Sequence, residues 1–219
     1  MFAAYDIAHL LAGLMLVAGF AMLYQDRISA VLTTFAVQAI LLSFAVAWQS
    51  VAQARPHLLV TAALALGLKG IIIPYALRRM VQKLGMHRDV EQVVGVTKAF
   101  MLGLGLTALS FMLVLRVTPH ADIFTREGLA MALAVILIGL LMMITRRNAV
   151  TQIVGFMSLE NGLILAATGA RGMPLVVEGS VAFSVLIALF VFGVFVFRIR
   201  ERFDSIDIDA LEQMRGEQR

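Results

Sequence analysis

Seven runs of apolar sequence, at approximately 6–24, 29–49, 58–78, 97–116, 128–145, 149–168 and 175–197, constrain this chain more than any single motif. Each has close to the roughly 20 residues that an α-helix needs to cross about 30 Å of hydrocarbon. A membrane β-barrel would need alternating segments of about ten residues. These runs are instead continuous and rich in Leu, Ala, Met and Gly. They predict an all-α integral membrane protein with seven transmembrane helices. Composition agrees, since 61% of residues are apolar and 15% charged, against about 45–50% and about 25% in a soluble domain. A water-soluble globule is excluded. Cysteine is absent, which excludes a disulfide scaffold, a thiol nucleophile, a thiolate zinc site and cysteine-held iron–sulfur clusters.

The basic residues orient the helices. With the N-terminus outside, the inner segments carry thirteen: Arg27, Arg78, Arg79, Lys83, Arg88, Lys98, Arg146, Arg147, Arg198, Arg200, Arg202, Arg215 and Arg219. The outer segments carry four, namely Arg55, Arg116, Arg126 and Arg171. That bias follows the positive-inside rule, so the basic balance reflects topology and the expected partner is the lipid bilayer, not nucleic acid. No basic n-region or small-residue cleavage site precedes the first helix, which is therefore expected to be retained, with the C-terminal tail in the cytoplasm.

An internal repeat is also legible. Gly19–Arg27 aligns at an offset of 120 with Gly139–Arg147, each the end of one helix, a basic turn and the start of the next. A third helix follows each pair. The order fits two parallel three-helix modules, with the helix at 97–116 as a spacer. The corresponding organisation is a module at 1–80, a cytoplasmic loop and spacer helix at 81–124, a second module at 125–198, and a cytoplasmic tail at 199–219.

Ionisable groups are costly in the bilayer, at least about 2.5–3.5 kcal/mol at helix centre, so the few that remain carry information. Glu160 lies about eleven residues into its helix, hence about 16 Å deep. It sits among Phe156, Met157, Leu163 and Ile164, with no basic residue in the same helix. It must meet a cation on another helix or take up a proton. Lys69 is the natural counterpart. Pro74 follows it by five residues and cannot donate to the Gly70 carbonyl, so the helix is expected to break its hydrogen-bond ladder beside the lysine. The two charges can pair only if the third and sixth helices touch. Two modules set side by side would instead point both along the membrane toward adjoining subunits.

Glu178, one turn into the seventh helix, reads equally as a dipole-stabilised N-terminal carboxylate or a proton carrier. Asp6 and His9, a turn apart near the outer end of the first helix, are candidates for proton entry or exit. His57, His87 and His120 fall in loops without metal-ligand spacing, no phosphate-binding glycine loop occurs, and no catalytic triad is present. The chain reads as non-catalytic on its own, with no cofactor. In the tail, Ile206, Ile208, Leu211 and Met214 lie among acidic residues, which reads equally as a solvated tail or as a short helix that docks on a neighbour.

The C-terminal half, roughly 125–219, resembles the three-helix K-type subunit of respiratory complex I and Mrp-type antiporters. The likeness rests on the basic turn Arg146-Arg147-Asn148, Leu159-Glu160 in the next helix, and the tail from Ile208-Asp209 to Met214-Arg215-Gly216. With Lys69 to Pro74 in the third helix, Leu159-Glu160-Asn161-Gly162 in the sixth and Glu178 opening the seventh, the whole chain resembles component E of the hydrogenase-4 and formate-hydrogenlyase class. One departure is that the second glutamate of the K-type family falls at Ala188, so Glu178 matches only component E. The resemblance implies a multi-pass subunit of a bacterial or archaeal cytoplasmic membrane, beside antiporter-like pumps. It also implies a soluble hydrogenase-type arm that holds the nickel–iron centre and the iron–sulfur clusters. Glu160, Lys69 and Glu178 would then serve proton transfer. An Mrp-like cation/proton antiporter subunit, a complex I-like assembly with a non-hydrogenase soluble partner, and a purely structural subunit are the alternatives.

Overall fold

The computed structural model describes residues 2–83, 93–119 and 123–169. Its elements are α1 (Phe2–Tyr24), α2 (Ile28–Ala52), α3 (His57–Leu64), a π-helical segment (Ala65–Ile72), α4 (Ile73–Lys83), α5 (Val96–Val117), α6 (Ile123–Thr145) and α7 (Ala149–Gly169). No strand of any length occurs among the described residues beyond single bridge positions. The segment from α3 through α4 is one continuous rod, so six helices are long and apolar enough to cross a membrane. They match the first six runs of the sequence. The seventh span at 175–197, Glu178, Ala188 and the tail lie outside the described residues.

Two boundaries differ from the sequence reading. The helix expected at 128–145 starts at Ile123, and the one expected at 58–78 runs on to Lys83. Both extensions carry charge, Arg126 and Glu127 in the first and Arg79 and Lys83 in the second. Hydropathy registers the apolar slab, whereas a helix continues past it into the interface.

The hairpins α1–α2 and α6–α7 pack on each other, α1 on α6 and α2 on α7. Arg146 fastens them. Its side chain is buried, and Nη2 donates to the Met22 carbonyl at 3.0 Å and the Leu23 carbonyl at 2.7 Å. The turn of one hairpin thus caps the last carbonyls of the other's first helix, which a cation at a helix C-terminus also favours electrostatically. Burial pushes the pKa of this guanidinium down, and Asp26 opposes the shift. Asn148 opens α7 by accepting from the Val150 N–H at 2.9 Å, an N-cap bond.

Without a hydrophobic drive between helices in lipid, close packing depends on small residues. A Cβ on Gly139 would lie 2.5 Å from the Leu159 nitrogen, and one on Gly162 would lie 2.7 Å from Ile136 Cγ1. The α6 and α7 backbones therefore touch just beside Glu160. Gly139→Val is expected to destabilise the purified protein by about 2–3 kcal/mol, read as thermal unfolding in detergent. Gly105→Val, on a face with nothing within 4 Å, is the matched control and should leave the transition in place. A midpoint unchanged in Gly139→Val would mean that these helices can part at no cost.

The buried apolar residues form two clusters at different depths. One holds Met22, Phe35, Ile73, Ile138 and Met157, toward the basic turns. The other holds Met15, Leu42, Ala65, Val135 and Ile164, toward the opposite end. In α2, the π-helical segment and α7, residues 38, 69 and 160–161 fall between members of the two clusters. This intermediate layer holds the buried polar side chains Gln38, Lys69, Glu160 and Asn161.

Candidate functional site

Lys69 sits inside the π-helical segment, where the Ile73 N–H bonds to the Leu68 carbonyl, five residues back. The break expected at Pro74 takes the form of this widened turn within a continuous rod. A π-turn accommodates the missing N–H of proline within continuous helix, and such turns recur at functional positions. The rod packs on α2 here, and a Cβ on Gly70 would make an ordinary contact with Ile40 Cγ1 at 3.5 Å.

The Lys69 Nζ lies 3.1 Å from Glu160 Oε2, and the two side chains are 1% and 3% exposed. The arrangement in which each charge faces outward toward a neighbouring subunit is therefore corrected: the rod of Lys69 and α7 come close enough for the pair to form within this chain. The reason is α2, which packs on both the rod and α7 and so brings the two side chains together.

Two amides complete the layer. Lys69 Nζ also donates to Asn161 Oδ1 at 3.0 Å. Asn161 Nδ2 donates to Gln38 Oε1 at 3.3 Å, and Gln38 Nε2 donates to the Met15 carbonyl of α1 at 3.2 Å. Gln38 and Asn161 are fully buried. The chain Glu160–Lys69–Asn161–Gln38–Met15 thus links four of the six described spans at mid-depth. Sequence reasoning gave Gln38 no role and quoted Asn161 only as part of a motif. The signal was present, since a mid-span amide needs a partner in lipid for the same reason that a charge does.

Asp6 is exposed in the N-terminal part of α1. His9 Nε2 lies 3.6 Å from Glu127 Oε2 at the start of α6, a carboxylate that the sequence reading passed over. No group of three or more His, Cys, Asp or Glu that could hold a metal occurs among the described residues.

The fold and this site define a multi-pass helical membrane protein with a Lys–Glu ion pair and an amide chain buried at mid-depth. The chain belongs to the family of Uncharacterized protein Rv0085 of Mycobacterium tuberculosis (strain ATCC 25618 / H37Rv), to which it is 34% identical over 154 residues, 68% of this chain and 69% of that protein. It is also similar to Hydrogenase-4 component E of Escherichia coli (strain K12), at 25% identity over 212 residues, 96% of this chain and 98% of that protein. The Shigella flexneri protein of the same name matches to the same extent. No protein-family model matches the chain, and no solved structure is similar to it.

Proposed function

We propose that this protein is a membrane-arm subunit of a complex I-related, group 4 [NiFe]-hydrogenase-type complex. In this reading it contributes the Lys69–Glu160 pair to proton translocation driven by redox chemistry in other subunits. The observation that carries the reading is the pair itself, an ion pair at mid-depth with apolar clusters toward both faces. A buried ion pair is a poor way to gain stability, because desolvation offsets much of the attraction. Intramembrane ionisable groups ordinarily mark ion or proton pathways. The similarity to Hydrogenase-4 component E, over nearly the full length of both chains, supports the choice of complex.

Glu160 acts as proton carrier and Lys69 as the partner whose charge rises and falls with it. A proton moving from the ammonium to the carboxylate neutralises both groups, and re-protonation of Lys69 restores the pair. The apolar clusters insulate the layer from both faces, which favours passage along the membrane toward antiporter-like neighbours over a leak across it. Glu178 belongs to the same proposed chain, as do Asp6 and His9 at its outer edge. The nickel–iron centre and iron–sulfur clusters belong to the soluble hydrogenase-type arm. The two-module organisation, the K-type likeness of the C-terminal half and the orientation, N-terminus outside in the cytoplasmic membrane, are parts of this reading.

Affinity purification of the tagged protein from its native membrane, followed by identification of the attached chains, tests it. Antiporter-like membrane subunits and a soluble metal-cluster subunit with hydrogenase activity are the expected companions. An Mrp-type set of membrane subunits without any soluble redox arm would overturn the choice of complex.

A further inference from the structure

We infer that the Lys69 ammonium is a tethered cation, occupying the position at which Glu160 and Asn161 would otherwise take up an alkali ion, and that this makes the site proton-specific and closed to sodium. The inference rests on the proposed proton-carrying role of the pair for its meaning, but not for its test.

The geometry sets two oxygens of different chemistry around one nitrogen. Glu160 Oε2 lies 3.1 Å from Nζ, and Asn161 Oδ1 lies 3.0 Å from it. Carboxylate and carbonyl oxygens converging on a buried point are what a hard monovalent cation needs in place of its hydration shell. Here that point is filled by a covalently attached cation. That cation is itself buried, at 1% exposure.

The orientation of the amide oxygen is not accidental. A backbone carbonyl can only accept, so Gln38 must turn its NH2 toward Met15 and its oxygen toward Asn161. Asn161 must then turn its NH2 toward Gln38 and its oxygen toward Lys69. One fixed acceptor at the end of the chain determines every amide in it, and the last of them always offers an oxygen to the cation position. Gln38 is thus a positioning residue for a site that it does not touch. A neutral Lys69, after giving up a proton, still has N–H groups to donate to that oxygen and stays in place. Only protons can therefore enter and leave the site, because the amine never vacates it.

Removing the tether should open the site to sodium. The test compares thermal unfolding of the full-length protein in detergent, in sodium chloride and in choline chloride at equal ionic strength, choline being too large to enter. The wild type is expected to unfold at the same temperature in both salts. Lys69→Met, which is uncharged and one atom shorter and so vacates the position of Nζ, is expected to gain at least about 3 °C in sodium. Adding Glu160→Gln to that variant should abolish the gain, and adding Gln38→Leu should weaken apparent sodium binding severalfold. Lys69→Gln serves for the same comparison if Lys69→Met does not accumulate. A wild-type midpoint that rises with sodium would overturn the inference, as would a Lys69 variant indifferent to sodium or a gain that survives loss of Glu160. None of these readings involves transport, so loss of the proton-carrying role would leave the sodium result standing, and the reverse.

Discussion

Glu160→Gln is expected to abolish proton translocation by the proposed complex while the subunit stays in place. Glutamine keeps the length of the side chain and an oxygen that can accept from Lys69, so the buried ammonium retains two acceptors, this one and Asn161 Oδ1. What disappears is the group that can take and release a proton. A general acid or base contributes about 100-fold or more, so pumping is expected to fall at least about 100-fold, to the level of background leak. The measurement is substrate-driven acidification of inverted membrane vesicles, with retention of the subunit followed on native gels. Glu160→Leu is the informative contrast. It removes the acceptor as well and leaves the ammonium against hydrocarbon, so it should reduce assembly too. Pumping by Glu160→Gln at the wild-type ratio would make this carboxylate a packing element and leave proton movement to other residues.

Much of this picture was legible in the sequence, for physical reasons that also explain where legibility ended. The spans could be read because twenty apolar residues in a row have few alternatives to a membrane helix. Glu160 and Lys69 could be read because a charge in lipid has no neutral explanation. The opening of the ladder before Pro74 followed from its missing N–H, though nothing in one sequence says whether the helix kinks or widens. The pairing of Lys69 with Glu160 was not legible. It depends on which helices touch, and here both the rod and α7 pack on α2. A glycine in a membrane helix is too common to announce its partner. Arg146 was read as a topology marker, yet its guanidinium is a buried cap on α1. Both roles put a basic residue in the same turn, and one sequence cannot separate them. Gln38 was missed because amides were not weighed by the logic applied to charges.

The second large effect concerns what the pair costs. Breaking it from the lysine side, with Lys69→Met in alkali-free buffer, leaves the Glu160 carboxyl buried with no counter-charge and is expected to destabilise the protein by about 3–5 kcal/mol. Replacing both partners, Lys69→Met with Glu160→Gln, should return stability to within about 1 kcal/mol of the wild type, since well-packed neutral replacements of a buried pair are often neutral or better. The coupling energy from the full cycle of single and double variants should then be at least about 2 kcal/mol. Thermal unfolding in detergent gives the stabilities, and vesicle acidification gives the transport. Neither the single nor the double variant should pump. A coupling energy near zero would mean that Asn161 alone holds the ammonium and that Glu160 answers to something else. The expected pattern separates two reasons for keeping a charge in lipid. If the double variant is as stable as the wild type and assembles as well, the fold has no need of the pair, and the loss of pumping is what remains to account for its presence.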